Sequence, residues 1–134
     1  MSYEFLEHTA DVRLHVFAKT KEGLFADSVA GLMELMLPQE RRGASHVRHV
    51  SLAAPDLTAL LIDFLGALLT QSHIRRERYD GIRFKQLSDS SLDAEIDAAP
   101  VSGFGRDVKA ITYHEAQVRE IAGKCLEITI VLDI

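Results

Sequence analysis

The sequence is poor in cysteine and tryptophan, with one of the former and none of the latter among 134 residues. A lone Cys125 excludes an internal disulfide and any paired-cysteine metal site. No secretory hydrophobic region opens the chain. The longest apolar helix, around residues 57–69, contains Asp63 and is too short to span a bilayer. These absences predict a soluble cytoplasmic protein that makes no membrane contact.

Positive charge is also in deficit, because 20 acidic residues outnumber 15 basic ones and the net charge is -5. Sequence-blind binding to nucleic acid depends on neutralising phosphates, so no direct, stable nucleic-acid binding is expected. Contact with a protein that itself binds RNA stays open. The length and an ordinary hydrophobic content of 47% predict one domain, residues 1–134, that buries its own core.

Hydrophobic periodicity predicts two helices set among short strands. Helical spacing indicates one helix from a Thr20 N-cap to Met36, and a second that opens at Pro55-Asp56 with a regular leucine stripe. Period-two alternation predicts strands over residues 3–9, 12–18, 46–53, 81–87, 92–98, 108–113, 116–119 and 124–133. The expected fold class is therefore α+β, a single-domain sandwich of mostly antiparallel strands with both helices covering one face.

Carboxylates gather at the end of the last predicted strand. Its alternation places Asp133 on the polar face, next to the α-carboxylate of Ile134. Asp11 lies in the link between the first two strands and points off the core with Arg13. If the terminal strands are neighbours, three carboxylates meet and would suit Ca²⁺ or Mg²⁺ better than zinc. An ordinary solvated terminal aspartate is the alternative.

Four further residues stand out by position: His8 in the first inter-strand link, Lys109 at the entry to a late strand, and Tyr113 and His114 at its exit. Each also has a structural interpretation, such as a backbone hydrogen bond for His8 or a packed ring for Tyr113. No nucleophile motif is present, so the sequence assigns no catalytic residue. A hydrolase would have to rely on His8 or His114, Glu7 and a bound metal.

Two other patterns give weaker signals. The Gly-Phe-Gly-Arg segment at residues 103–106 resembles a phosphate-binding loop, but no strand-to-helix context follows it, which favours a flexible turn. The basic groups Arg41-Arg42 and Arg75-Arg76 with Arg78 are typical of solvated surface. Against a negative background they also fit a face that contacts a partner.

Three segments together resemble the archease family: HTADV at residues 8–12, DVKAITYH at 107–114 and VLDI at 131–134. Their order and spacing extend the resemblance over essentially the whole chain. It implies a non-enzymatic accessory protein that activates an RtcB-type RNA ligase in tRNA splicing and RNA repair by promoting its GTP-dependent guanylylation. It also implies a divalent metal, Ca²⁺ before Mg²⁺ or Mn²⁺, on Asp11, Asp133 and Ile134, and an activating role for Lys109.

The sequence departs from the family pattern at several positions. Arg13 stands where a glycine commonly follows HTADV, and Gly66-Ala67 stand where Asn-Glu is frequent. An acidic, aromatic stretch is often found where this chain has residues 70–78. These departures bear on partner identity more than on the fold. Two alternatives to the activator stay open: a metal-dependent phosphoester hydrolase, and a chaperone-like binding module for RNA-processing enzymes.

Overall fold

The structure is a computed structural model that describes residues 2–7 and 11–134, so His8 lies outside the described residues, as do the side chains of Leu6 and Glu7. Within this part of the chain, strands and helices follow one another in a fixed order. They are β1 (Tyr3–Glu7), β2 (Asp11–Ala18), α1 (Lys21–Met36), β3 (His46–Ala53), α2 (Leu57–Arg75), β4 (Glu77–Leu87), β5 (Ser91–Pro100), β6 (Ala110–Thr112), β7 (Arg119–Ile121) and β8 (Cys125–Asp133).

The strands form two antiparallel sheets. The larger has the order β1-β2-β8-β6, with β7 also pairing with β8, and the smaller has the order β3-β5-β4. The chain's last strand therefore occupies the middle of the larger sheet and pairs with β2 along its whole length. Residues Val12, Leu14 and Val16 of β2 are buried, as the alternation predicts. The predicted α+β class is confirmed.

The two helices contact both sheets, a detail that the predicted arrangement did not specify. Helix α1 contacts β2 of the larger sheet and β4 of the smaller one, and α2 contacts β6 of the larger sheet and β3, β4 and β5 of the smaller. Helix α1 is apolar on more than one side: Leu24 and Met33, which lie on opposite sides of it, are both buried. A helix that is hydrophobic on several sides needs partners on more than one side to bury them.

Helix α2 is longer than predicted, because it continues six residues beyond the leucine stripe to Arg75. With 19 residues and a mean hydropathy of 1.4, it is long and apolar enough by length and composition to cross a membrane. The expectation that it is too short is therefore wrong. Its large side chains, Phe64 among them, are instead part of the hydrophobic core, where Phe64 packs against Phe25 with ring centroids 5.9 Å apart.

Capping explains where the helices begin. The Thr20 hydroxyl accepts from the amide of Gly23 at 3.0 Å, and the Asp56 carboxylate accepts from the amide of Ala59 at 2.8 Å. Helix α2 ends at Arg75, its C-cap Arg76 has a left-handed φ of 50°, and β4 begins at the next residue. Strand β4 therefore starts four residues before the predicted position, since a one-residue connection leaves no turn sequence to recognise.

Two mid-helix glycines should respond in opposite directions to alanine. A Cβ on Gly31 would lie 2.8 Å from both terminal carbons of the fully buried Leu14, whereas a Cβ on Gly66 meets no atom within 4 Å. We expect Gly66→Ala to raise the free energy of unfolding by about 0.5–1 kcal/mol through helix propensity. Gly31→Ala should lower it by roughly 1–2 kcal/mol, because overpacking of the core outweighs that gain. Urea denaturation of both variants checks the pair, and a stabilised Gly31→Ala would contradict it.

Candidate metal centre at the carboxylate tip

The pairing of β2 with β8 places two aspartates opposite each other. Asp11 opens β2 and Asp133 closes β8, and the two are direct partners in the antiparallel register. Side chains of directly opposed residues lie on one face of a sheet, with Cβ atoms about 4.5–5.5 Å apart. Ile134 follows Asp133 at once. We call Asp11, Asp133 and Ile134 the carboxylate tip.

The positively charged side chain of Arg13 lies beside the tip. Nη1 of Arg13 is 3.5 Å from Oδ1 of Asp11, and its Nε donates to Glu115 at 2.8 Å. The Arg13 side chain is only 17% exposed, so the pair of contacts holds it against the sheet. The alternation that places Asp11 and Arg13 on the same face was predicted; the involvement of Glu115, 102 residues away in sequence, was not.

Lys109 lies at the same end of the sheet. Its backbone amide donates to the backbone carbonyl of Asp133 at 2.8 Å, and the next residue, Ala110, pairs with Asp133 across β6 and β8. Asp133 is thus flanked by Asp11 on one side and by the Lys109–Ala110 backbone on the other. The Lys109 side chain is exposed. The structure therefore brings together Asp11, Asp133 and Lys109, which are far apart in sequence.

The donor types at the tip fit a hard cation. Two opposed carboxylates repel each other, and oxygen ligands are those that Ca²⁺ and Mg²⁺ prefer. Within the described residues, no group of three His, Cys, Asp or Glu side chains is arranged to hold a metal ion. The tip supplies two such side chains, those of Asp11 and Asp133.

Tyr113 and His114 lie farther from the tip. They follow β6, which runs from Ala110, opposite Asp133, to Thr112, opposite Val131. The Tyr113 hydroxyl donates to the carboxylate of Asp63 on α2, although the ring is 57% exposed. His114 has a side chain that is 71% exposed, near the Glu115 carboxylate at 3.8 Å. Both side chains are exposed beyond the end of β6.

The most deeply buried carboxylate among the described side chains was not predicted as a site. Glu77, only 2% exposed, accepts from Nε and Nη2 of Arg48 at 3.1 and 2.9 Å, and lies 3.2 Å from Nε2 of His46. Burial raises its pKa, but the Arg48 hydrogen bonds, the Tyr79 hydroxyl and the charge of Arg48 outweigh this, so the pKa is lowered overall. Burial and the hydrogen bond to Glu77 raise the pKa of Tyr79. We call Glu77, Arg48, His46 and Tyr79 the buried ion cluster.

Comparison with known proteins decides the family. The model of the Archease protein family (MTH1598/TM1083) matches residues 3–134. The chain belongs to the archease family. An archease of Methanosarcina barkeri is 27% identical over 129 residues, covering 90% of this chain and 88% of the relative. One of Saccharolobus islandicus is 28% identical, covering 99% of each chain.

Solved structures agree with this archease fold. The solution structure of protein 1598 from Methanobacterium thermoautotrophicum superposes with a TM-score of 0.72 at 19% identity, covering 99% of both chains. The crystal structure of an archease from Thermotoga maritima gives 0.69 at 16% identity, covering 96% of this chain and 94% of the other. At these identities the likeness shows the fold, and the fold confirms the two-sheet arrangement with two helices.

Proposed function

We propose that this archease activates an RtcB-type RNA ligase by promoting its GTP-dependent guanylylation and repeated turnover in tRNA splicing and RNA repair. The opposition of Asp11 and Asp133 in register is the observation that carries the proposal. It gathers at one end of the sheet the residues that the family resemblance names as functional. Lys109 joins them through its backbone contact with Asp133.

The carboxylate tip would hold a divalent cation, Ca²⁺ before Mg²⁺ or Mn²⁺, through Asp11, Asp133 and the terminal carboxylate of Ile134. Such an ion would supply positive charge at the tip and cancel the repulsion between the two aspartates. The exposed Lys109 would add a second positive group for a partner's phosphates or carboxylates. His8, Tyr113 and His114 are proposed as neighbouring contact residues.

Activation requires that the archease bind the guanylylation-competent state of the ligase more tightly than its resting state. A coupling free energy of about 1–3 kcal/mol would give a roughly 5- to 150-fold effect. The test is to incubate the cognate ligase with labelled GTP and measure the rate of covalent guanylylation with and without the archease. We expect acceleration within that range. An unchanged rate at saturating archease would contradict the proposal.

A chaperone-like role is the second candidate, because the related archease from Thermotoga maritima is described as a possible chaperone. It predicts protection of client enzymes from thermal aggregation regardless of the two aspartates. A phosphoester hydrolase is the third, and it predicts turnover by the isolated protein with Mg²⁺ or Mn²⁺. Among the described residues His114 is highly exposed and pairs only with Glu115, which gives this mechanism little support.

The guanidinium of Arg13 should lower the affinity of the tip for divalent cations. It lies 3.5 Å from the Asp11 carboxylate and competes with a second cation for the same charge. Replacing Arg13 by Gln should strengthen Ca²⁺ binding about tenfold, measured by titration calorimetry. Arg83→Gln, which removes an equal charge from the smaller sheet, is the matched control. Equal or weaker Ca²⁺ binding by Arg13→Gln would show that the two cations do not compete.

A further inference from the structure

A polar groove of about 380 Å³ lies where the end of α2 meets the loop between β5 and β6. We call it the basic groove. It is lined by His73 and Arg76 from the helix end, by Ser102, Gly103, Phe104 and Arg106 from the loop, and it includes one carboxylate, Asp107. Two arginines against one acid give the groove a positive charge in a protein whose net charge is -5.

Backbone hydrogen bonds hold the loop between β5 and β6 in place. Val101 donates to the carbonyl of Arg76 at 2.9 Å, and the Gly103 carbonyl accepts from the amide of Gln39 at 2.9 Å. Gly105 donates to Leu37 at 2.8 Å, and a Cβ on that glycine would lie 3.1 Å from the Leu37 Cβ. The sequence favours a flexible turn for this segment, but these contacts fix its backbone on both sides. The groove is therefore organised before any ligand arrives.

The two arginines of the groove are uncommitted. Within residues 2–7 and 11–134, neither Arg76 nor Arg106 has an ion pair or a side-chain hydrogen bond, whereas neighbouring Arg75 donates to Gln71 and Arg41 to Ser45. Guanidinium groups donate in pairs to phosphate oxygens, with a geometry that a lysine lacks. Two free guanidinium groups in one fixed groove are typical of phosphate recognition.

Gly103 and Phe104 add a second observation. A Cβ on Gly103 would meet no atom within 4 Å, and its φ is not positive, so neither packing nor backbone strain requires glycine there. Because glycine has no side chain, the backbone at this position is open to close approach by a ligand. Phe104 is half-buried and packs edge-on against His73, with ring centroids 5.8 Å apart at 70°. It provides an aromatic surface beside the arginines, as single-strand binding sites do.

We propose that the basic groove binds phosphate groups of a nucleotide chain, with single-stranded RNA as the ligand. The excess of acidic residues elsewhere limits the interaction to the few phosphates that the groove can reach. The complex is therefore weak and sensitive to salt, which agrees with the expectation that the protein forms no stable complex with nucleic acid alone. This inference goes beyond the ligase proposal and does not depend on it.

The test is fluorescence anisotropy with a labelled single-stranded oligoribonucleotide of about 12 nucleotides, at about 50 mM salt. The variant combines Arg106→Gln with Arg76→Asn, since asparagine tolerates the left-handed backbone at position 76. We expect its affinity for RNA to fall at least about tenfold. The wild-type plot of log K against log salt should have a slope of about -1.4, for two phosphate contacts, and the variant's should approach zero.

The control combines Arg119→Gln with Lys124→Gln, which removes the same charge from exposed positions outside the groove. It should retain RNA binding. Gly103→Ala should weaken RNA binding without lowering the melting temperature, because its methyl group enters the groove and not the protein interior. An absence of binding by the wild type, or equal losses in the control and the arginine variant, would overturn the proposal.

Competition identifies the ligand chemistry. If GTP displaces the labelled RNA, and the arginine variant binds GTP more weakly as well, the groove is a phosphate site that also accepts a free nucleotide. Polyglutamate that competes as well as unlabelled RNA would overturn the proposal, because an acidic protein segment would then serve equally. The assay contains no ligase, so either result leaves the guanylylation proposal untouched.

Discussion

Replacing Asp11 and Asp133 together by asparagine should abolish stimulation of ligase guanylylation while leaving the fold intact. The two carboxylates face each other across β2 and β8, and like charges directly opposite in a sheet are destabilising. Without a bound cation, the double variant should therefore be at least as stable as the wild type. The same two groups are indispensable if the tip holds an ion, since an amide oxygen is a neutral and much weaker ligand.

The effect of Ca²⁺ on the melting temperature tests metal binding separately from activation of the ligase. A ligand present at about 100 times its dissociation constant stabilises the native state by about 2.7 kcal/mol. Ca²⁺ should therefore raise the melting temperature of the wild type by several degrees and have no effect on the double variant. A matched control, Asp80→Asn with Asp89→Asn, removes two carboxylates that pair with Arg78 and Lys21 away from the tip. Normal stimulation by the tip variant would refute the proposed role of the metal centre.

Lys109 can be tested independently of the metal. Its side chain is exposed while its backbone amide binds Asp133, so Lys109→Met leaves the backbone contact in place. The variant should keep the calcium-induced rise in melting temperature and lose much of the stimulation. If it loses both, the lysine acts through the structure of the tip and not through contact with the ligase.

Period-two and helical spacing were sufficient to predict which faces are buried. Leu14 and Val16 of β2, and Leu24 and Leu32 of α1, are all buried as their spacing predicts. Such patterns depend only on the geometry of a single element. They could not show that the helices contact two sheets, because that depends on how separate elements pack.

The register of distant strands was the main uncertainty at the carboxylate tip. Alternation alone predicts that Asp11 and Asp133 lie off the core, but only the pairing of β2 with β8 makes them partners. The contact between Arg13 and Glu115 and the meeting of Arg76 with Arg106 are equally non-local. For Glu77 the one-residue link after α2 hid the start of β4, so no periodic signal marked its burial.

The buried ion cluster should make the largest single contribution to stability that the sequence did not reveal. Glu77 is 2% exposed and receives two hydrogen bonds from Arg48, and His46 lies 3.2 Å from it. Removing one partner of a buried ion pair leaves the others without compensation. Glu77→Gln should therefore lower the free energy of unfolding by about 3 kcal/mol, read from urea denaturation.

The pH dependence of that loss identifies its cause. The pKa of Glu77 is lower in the folded protein, so its contribution is present above the unfolded pKa, about 4.3, and disappears as pH falls through the folded value. The difference in unfolding free energy between wild type and Glu77→Gln should thus be full near neutral pH and shrink as pH drops below about 4. Glu95→Gln, which alters a half-buried carboxylate of the same sheet that pairs with Lys85, should change stability less at neutral pH. A difference that persists undiminished in acid would mean that Glu77 acts through packing rather than through its charge.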